Sequence, residues 1–258
     1  MRKLANSDRL DKSLVVNGLF RSRDEAQECI INGSVKVNGI VVLKASYPVC
    51  PDDEITTDAK SSHYVSRSAL KLLAALDHFA ISPMSKHTLD VGASTGGFTQ
   101  VLLERGAESV TAIDVGHDQM RASLRTDPRV TLHEGMNARH ITRQSFERQF
   151  EFIVMDVSFI SATLVLAPLK LVVTEDGDIV ILVKPQYEAG QNALDKSGIV
   201  KSGEARRSAV NNVSQYAVRL GYSVMGTVEC PLHGSGGNIE FLMHLKPTNL
   251  ESPDEDRK

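Results

Sequence analysis

The sequence predicts an α/β chain of two unequal parts. A small α+β unit precedes a large domain built on a mostly parallel sheet of seven strands with an antiparallel end. Three observations predict it. Residues 9–44 carry two helical patterns and a hairpin pattern in close succession; from "VSRSALKLLAALDHF" onward strand and helix patterns alternate; and the last two strand patterns have no helix between them. At 258 residues, both parts are long enough to bury a core.

In the front unit Leu10, Leu14, Val15 and Leu19 recur at helical spacing, and Gly18 suits a helix end. Ser22 before Arg23, Asp24 and Glu25 reads as an N-cap with an acidic first turn. The helix it opens buries Ala26, Cys29 and Ile30 and stops near Asn32-Gly33. "VKVNGIVV" reads as two short strands about a tight Asn-Gly turn, and "YPVCPDDEITTD" as a turn leading to one more strand. Residues 1–59 are assigned to this unit, 60–66 to a linker, 67–247 to the large domain, and the charged stretch 248–258 to a disordered tail. The expected strands of the large domain are 87–91, 109–115, 130–134, 152–157, 178–184, 222–229 and 239–245, with a long helix over 203–221.

Composition narrows the function classes. A net charge of −3 argues against a chain coated in basic charge, so any nucleic-acid contact has to come from a local patch. Cys29, Cys50 and Cys230 are widely spaced and form no C-x-x-C pair, which disfavours a disulfide framework and a zinc site and points to a reducing cytosol with no bound metal. The N-terminus has no apolar segment of the export type, and no run approaches a membrane span, so a cytoplasmic protein without membrane contact is expected. With no Trp and 5% aromatic content, a stacking platform for single strands is not prominent.

"LDVGASTGGFTQ", residues 89–100, puts a glycine-rich turn between a buried strand and a helix, where open α/β sheets bind nucleotides. The spacing of Gly92, Gly96 and Gly97 is not that of a dinucleotide loop. Asp90 lies before the turn, where a carboxylate meets a cationic ligand end and repels a pyrophosphate. Asp114 ends the next strand, where it can accept both hydroxyl hydrogens of a ribose. Together they suit S-adenosylmethionine, which carries an amino group and a sulfonium, better than NAD. Met136 and Asn137, after the third strand, stand where an adenine is sandwiched and hydrogen-bonded. The expected donor-binding set is Asp90, Gly92, Ser94, Thr95, Gly96, Gly97, Phe98, Asp114, Asn137 and Asp156.

Four charges stand out by context. Lys71 sits among Leu70, Leu72, Leu73 and Leu76, beside a core face; Asp156 ends "FIVMD", Lys184 ends "VILVK" and Glu240 starts "IEFLMHL". A ribose 2′-hydroxyl is a poor nucleophile, so methyl transfer to it benefits from a base and from in-line placement. A lysine beside a second lysine, away from water, loses its proton more readily. Lys184 is expected as the base, Lys71 as its tuning neighbour, Asp156 nearest the donor, and Glu240 as the closing member of the network.

The motifs "RLDKSLVVNGLFRSRDEAQECIINGSVKVNG", "YVSRSALKLLAALD", "LDVGASTGGFT", "AIDVGHDQM", "MDVSFIS" and "LVKPQYEAG" together resemble the TlyA family of bacterial ribosomal-RNA 2′-O-methyltransferases, often labelled hemolysin A. The resemblance covers nearly the whole chain apart from the tail. It implies a Rossmann-like, FtsJ-type catalytic domain behind a small RNA-binding domain similar to one in a small-subunit ribosomal protein. It also implies a Lys-Asp-Lys-Glu tetrad, falling on Lys71, Asp156, Lys184 and Glu240, with S-adenosylmethionine as donor and a cytidine ribose of ribosomal RNA as acceptor. "SRSALKL" departs from the family's usual glycine after serine-arginine, and "GMNAR" replaces a more charged version; neither touches the tetrad.

Basic residues outnumber acidic ones over residues 1–44 in a chain that is otherwise acidic. Arg9, Arg21, Arg23 and Lys36, extended by Arg67, form the expected surface for an RNA backbone in ribosomal RNA or a ribosomal subunit. The long polar stretch "QYEAGQNALDKSGIVKSGEAR" is expected as a lid or RNA-contacting loop ordered in complex. A non-catalytic RNA-binding assembly factor, a dinucleotide-dependent oxidoreductase and a membrane-lytic protein are the competing readings. Monomer and homodimer are both open.

Overall fold

A computed structural model describes residues 7–20, 23–31, 33–57, 63–234 and 237–248. It divides into two compact units, Met1–Ala69 and Leu70–Lys258. The expected N-cap Ser22, Arg21, Asn32, linker residues 60–62 and all but the first residue of the tail lie outside the described residues.

In the front unit a short strand β1 (Asp8–Arg9) leads into α1 (Leu10–Val16), followed by α2 (Arg23–Ile31), β2 (Val35–Val37), β3 (Ile40–Val41), β4 (Pro48–Val49) and β5 (Ile55–Thr57). The sheet order is β3-β2-β5, all antiparallel, while β1 pairs separately with β4. Asn38 and Gly39 both have positive φ, the requirement of the two-residue turn that matches strand twist. Leu10, Leu14, Ala26, Ile30, Val35 and Val49 close the core. Leu19 is exposed and Phe20 takes its place inside, because Gly18 at φ +70 ends the helical phase one residue earlier.

The second unit begins with α3 (Ala69–Phe79), whose Ala69, Leu72, Ala75 and Leu76 form one buried stripe. There follow β6 (His87–Val91), α4 (Gly97–Glu104), β7 (Ser109–Asp114), α5 (Ala122–Arg125), β8 (Val130–Glu134), β9 (Phe150–Met155), α6 (Thr163–Lys170), β10 (Val173–Val183), α7 (Pro185–Glu188), α8 (Gly203–Arg219), β11 (Tyr222–Glu229) and β12 (Phe241–Pro247). The seven strands lie in the order β11-β12-β10-β9-β6-β7-β8. β6 to β10 pair in parallel, and β12 runs antiparallel to both its neighbours, the end that the missing helix between the last two strands implies.

Strands read as near-continuous apolar runs because helices cover both faces of a parallel sheet. Phe150, Phe152, Ile153, Ile179 and Ile181 are sealed in the core, each fully buried side chain contributing roughly 1.5–3 kcal/mol. β10 starts five residues earlier than expected, with an irregularity against β9 between Val173 and Asp178 that accommodates polar residues inside the strand. β6 has β7 on one side and β9 on the other, so strand order reverses at its C-terminal end. Open α/β sheets bind ligands at such switch points.

Candidate active site

The loop after β6 is shaped by two close approaches. Gly92, at φ +85, has no room for a side chain: a Cβ there would lie 2.5 Å from the Asp156 carbonyl oxygen after β9. Gly96, at φ +97, would drive a Cβ into Leu124. Ser94 takes a left-handed conformation, and its N–H donates to Asp114 Oδ2 at 2.8 Å, while Gly116 N–H donates to Oδ1 at 2.7 Å. Asp114 therefore organises two loops, one through each carboxylate oxygen.

Around these loops lies a cavity of about 570 Å³, lined by Gly92, Ser94, Asp114, Asn137, Asp156 and Phe159 among others. Met136 also lines it, and Asn137 Oδ1 accepts from the Arg139 N–H, which fixes the side chain at the cavity edge. Asp90, Thr95, Gly96, Gly97 and Phe98 are not part of that wall. The glycines and Phe98 are buried at the start of α4, where they set the turn from beneath.

Asp90 is fully buried and its Oδ2 accepts from Thr99 Oγ1 at 2.7 Å. Burial pushes its carboxyl up to about 7; the Thr99 bond pulls against this, and the charges of Asp156 and Asp114 add to it. Its Oδ1 is buried without a hydrogen-bond partner. An acceptor left in that state normally costs about 1–3 kcal/mol, and a nearby cation would relieve it. The orphaned carboxylate oxygen fits a donor with a positive centre.

Lys71 Nζ donates to Glu240 Oε2 at 2.6 Å, with both side chains nearly inaccessible to water. Lys184 Nζ lies 2.6 Å from Asp156 Oδ1 and donates to Ser158 Oγ at 2.7 Å. Strand register explains the grouping: Val183 pairs with Phe241, and Ile181 with Met155, so Lys184, Glu240 and Asp156 come next along three neighbouring strands. Gln186, two residues after Lys184, donates to Glu240 Oε1 at 3.2 Å, which brings the two ion pairs into one neighbourhood; burial raises the nearby Cys230 thiol. Each of the two lysines is thus paired with a carboxylate, Lys71 with Glu240 and Lys184 with Asp156.

Residues 64–247 match the FtsJ-like methyltransferase family and residues 8–55 match the S4 domain. The chain is 42% identical over 245 residues to the 16S/23S rRNA (cytidine-2′-O)-methyltransferase TlyA of Mycobacterium tuberculosis, covering 94% of this chain and 91% of that relative. The chain belongs to the TlyA group of FtsJ-like methyltransferases. It is also 39% identical to Hemolysin A of Brachyspira hyodysenteriae, covering 92% of this chain and 99% of that protein. A solved structure from Streptococcus thermophilus that carries a hemolysin label superposes with a TM-score of 0.75 at 38% identity, covering 95% of this chain and 90% of that one. Among the described residues no helix is long and apolar enough to cross a membrane.

Within the S4 domain of this TlyA-group chain, Asp11 is fully buried, and its carboxylate accepts from Arg9 Nε and Nη2 at 2.9 Å each, from Arg23 Nη2 at 2.8 Å and from Gln27 at 2.7 Å. Arg9, then Arg23 and Gln27, hold that carboxyl well below the usual carboxylate range against the opposing effect of burial. Two of the expected RNA-contacting arginines are thus brought together by an acid that the sequence reading counted only as an opposing charge. Lys36 is exposed on β2, and the Arg67 guanidinium packs against Gly33. Arg21 lies outside the described residues.

Several site residues of this methyltransferase fold escaped the sequence reading. Ser158, which receives Lys184, sits two positions after Asp156 in "MDVSFIS". Gln119 accepts from Ser94 Oγ and lines the cavity. Phe159 stands 86% exposed at the cavity with φ +66, an uncommon conformation for a bulky side chain. Gln186 donates to Glu240 Oε1 at 3.2 Å. The stretch after Lys184, expected to order only in complex, is held within the protein: Asn238 accepts from the Val200 N–H and donates to the Gly198 carbonyl, and Asp195 accepts from the N–H groups of Ser197 and Ile199.

Proposed function

We propose that the chain methylates the ribose 2′-hydroxyl of a cytidine in ribosomal RNA, in the small subunit, the large subunit or both, with S-adenosylmethionine as donor. The observation that carries this reading is the double engagement of Asp156. Asp156 lines the cavity, and its carboxylate lies 2.6 Å from the Lys184 ammonium, so this one residue links the donor pocket to the ion pairs. The Mycobacterium tuberculosis relative, named as a 16S/23S rRNA (cytidine-2′-O)-methyltransferase, supports the choice of acceptor.

When bound, the donor supplies a methyl group activated by a sulfonium. Asp114 accepts its ribose hydroxyls, Met136 and Asn137 border the base, and Asp90 places negative charge beneath the loop. Lys184, once its ammonium has given up a proton to solvent, takes the proton from the 2′-hydroxyl as that oxygen bonds the methyl group and the donor leaves as its neutral thioether, with Asp156 and Ser158 fixing Nζ. Lys71 and Glu240 form the second pair, which closes the network around the acceptor ribose. Residues 1–59, through Arg9, Arg23 and Lys36, with Arg67 beyond them, hold the RNA backbone while residues 67–247 carry the chemistry.

The test is methyl transfer from labelled S-adenosylmethionine to unmodified ribosomal subunits, with the 2′-O-methylated positions mapped. Lys184→Ala is expected to abolish transfer while donor affinity by calorimetry stays within about threefold, since Lys184 does not line the cavity. Full activity of that variant removes the base assignment. Tight subunit binding by a wild-type chain with no donor affinity turns the reading to a non-catalytic assembly factor.

A further inference from the structure

The helix that follows Lys184 is tied to the loop that follows β9 at three points. At its start, Lys184 Nζ meets Asp156 and Ser158. In its middle, the Tyr187 ring lies 5.5 Å from the Phe159 ring. At its end, Glu188 takes two short hydrogen bonds from the far side of the same loop: Ser161 Oγ donates to Oε2 at 2.6 Å, and the Ala162 N–H donates to Oε1 at 2.7 Å. Both carboxylate oxygens are therefore spent on residues 161–162. Ala162 is the N-cap position of α6 and has no side-chain cap of its own, and Glu188 takes up the N–H of that residue from another element.

We propose that Glu188 is a positioning residue for methyl transfer, a latch that fixes the loop of Asp156, Ser158 and Phe159 against the helix begun by Lys184. The argument is geometric. Pro185 at the first helical position and the Tyr187 N–H to Lys184 carbonyl bond make Lys184–Glu188 one stiff turn. Lys184 holds the loop from one end of this turn and Glu188 from the other. Phe159, between the two anchors, takes a left-handed conformation that persists only where its surroundings impose it. Releasing Glu188 frees residues 158–162 to relax, and with them the Lys184 partners and one wall of the cavity. The inference rests on the function proposed above.

The experiment compares full-length wild type with Glu188→Ala and Glu188→Gln. It measures kcat and KM on unmodified ribosomal subunits at saturating donor, donor Kd by calorimetry, and Tm. Glutamine is isosteric: its Oε1 can still accept from Ala162, and its amide can donate to Ser161 Oγ. The latch therefore predicts that kcat falls at least about tenfold in Glu188→Ala, with a weaker donor Kd, and returns to within about threefold of wild type in Glu188→Gln. Wild-type kcat and Kd in Glu188→Ala overturn it. Equal impairment of the two variants also overturns it, because the charge and not the fixed geometry would then matter. If Glu188→Ala does not fold, Ser161→Ala removes one of the two bonds and must lower kcat by a smaller factor; an unchanged kcat there rejects the latch. A wild type that methylates no ribosomal RNA rejects the proposed function instead, and the donor Kd series then decides the latch alone.

Discussion

Lys71 Nζ and Glu240 Oε2 meet at 2.6 Å although 169 positions separate them in the chain, and both side chains are almost wholly withdrawn from water. Removing one partner strands a charge in the interior, which costs about 3–5 kcal/mol, whereas replacing both by apolar residues of similar volume is close to neutral. Lys71→Ala and Glu240→Ala are each expected to lose stability of that size in chemical denaturation. The double variant Lys71→Met, Glu240→Leu should recover most of it, short of full recovery because Gln186 then loses its acceptor. Methyl transfer should be lost in all three. Recovery of transfer along with stability in the double variant would leave the pair a purely structural role.

Gly234 makes a sharper test of the same carboxylate. A Cβ at that position would lie 2.0 Å from Glu240 Oε1, and Glu240 cannot swing away while Lys71 and Gln186 hold it. Gly234→Ala should therefore displace Glu240 and lower kcat by about tenfold or more through misplacement alone. Donor affinity should be unchanged, since neither residue lines the cavity. A kcat within twofold of wild type would show that the loop before β12 yields more readily than the carboxylate.

Much of this arrangement was legible in the sequence, because parallel strands advertise themselves as apolar runs and their C-terminal ends carry the charges. "FIVMD" and "VILVK" by themselves place Asp156 and Lys184 at one sheet edge. The loop glycines are legible for the same reason: a turn that passes within a bond's reach of Asp156 excludes a side chain. What was not legible depends on pairing across distance. The partner of Lys71 is set by β12 lying antiparallel beside β10, and nothing near residue 71 encodes that register. Ser158 lies in a loop and Gln186 and Glu188 on a one-turn helix, and only the fold reveals which of many such polar residues face inward. Asp11 was misread for a related reason: counting charges along the chain cannot tell an opposing acid on the surface from a buried one that aims two arginines.

That buried acid gives a prediction for the front unit. Arg9 and Arg23 are about half exposed and can return to water when Asp11 is removed, so the cost falls below that of a fully buried pair. Asp11→Ala should destabilise the front unit by roughly 1–3 kcal/mol. RNA affinity should drop further than the lost stability explains, because two freed arginines pay the entropy of ordering on binding. The carboxyl titrates below its unfolded value, so its stabilising contribution is complete above about pH 4 and is lost as pH falls below that. Denaturation of the wild type and the variant between pH 2 and 7 should converge at the acid end, and filter binding to ribosomal RNA at pH 7 checks the affinity.

Asp90 has the opposite sign. Its folded carboxyl is raised to about 7, while an unfolded aspartate titrates near 3.9. Between these values the folded chain binds the extra proton, so stability falls as pH rises through this window and levels off above it. Asp90→Asn has no charge to bury, and its amide oxygen can still accept from Thr99. The variant is therefore expected to be more stable than wild type at pH 8, by up to roughly 4 kcal/mol, and no more stable near pH 4. Under the proposed function the same carboxylate, with its Oδ1 lacking a partner, would give the donor's positive centre its counter-charge. A cation favours the ionised acid, so wild-type donor affinity should rise with pH through about 7 and proton release should accompany binding, whereas Asp90→Asn should bind at least about tenfold more weakly with no such slope. Calorimetry in two buffers of different ionisation enthalpy measures both quantities. A wild-type affinity that is flat from pH 6 to 8 would mean that Asp90 stays neutral beneath the donor and serves the loop through Thr99 alone.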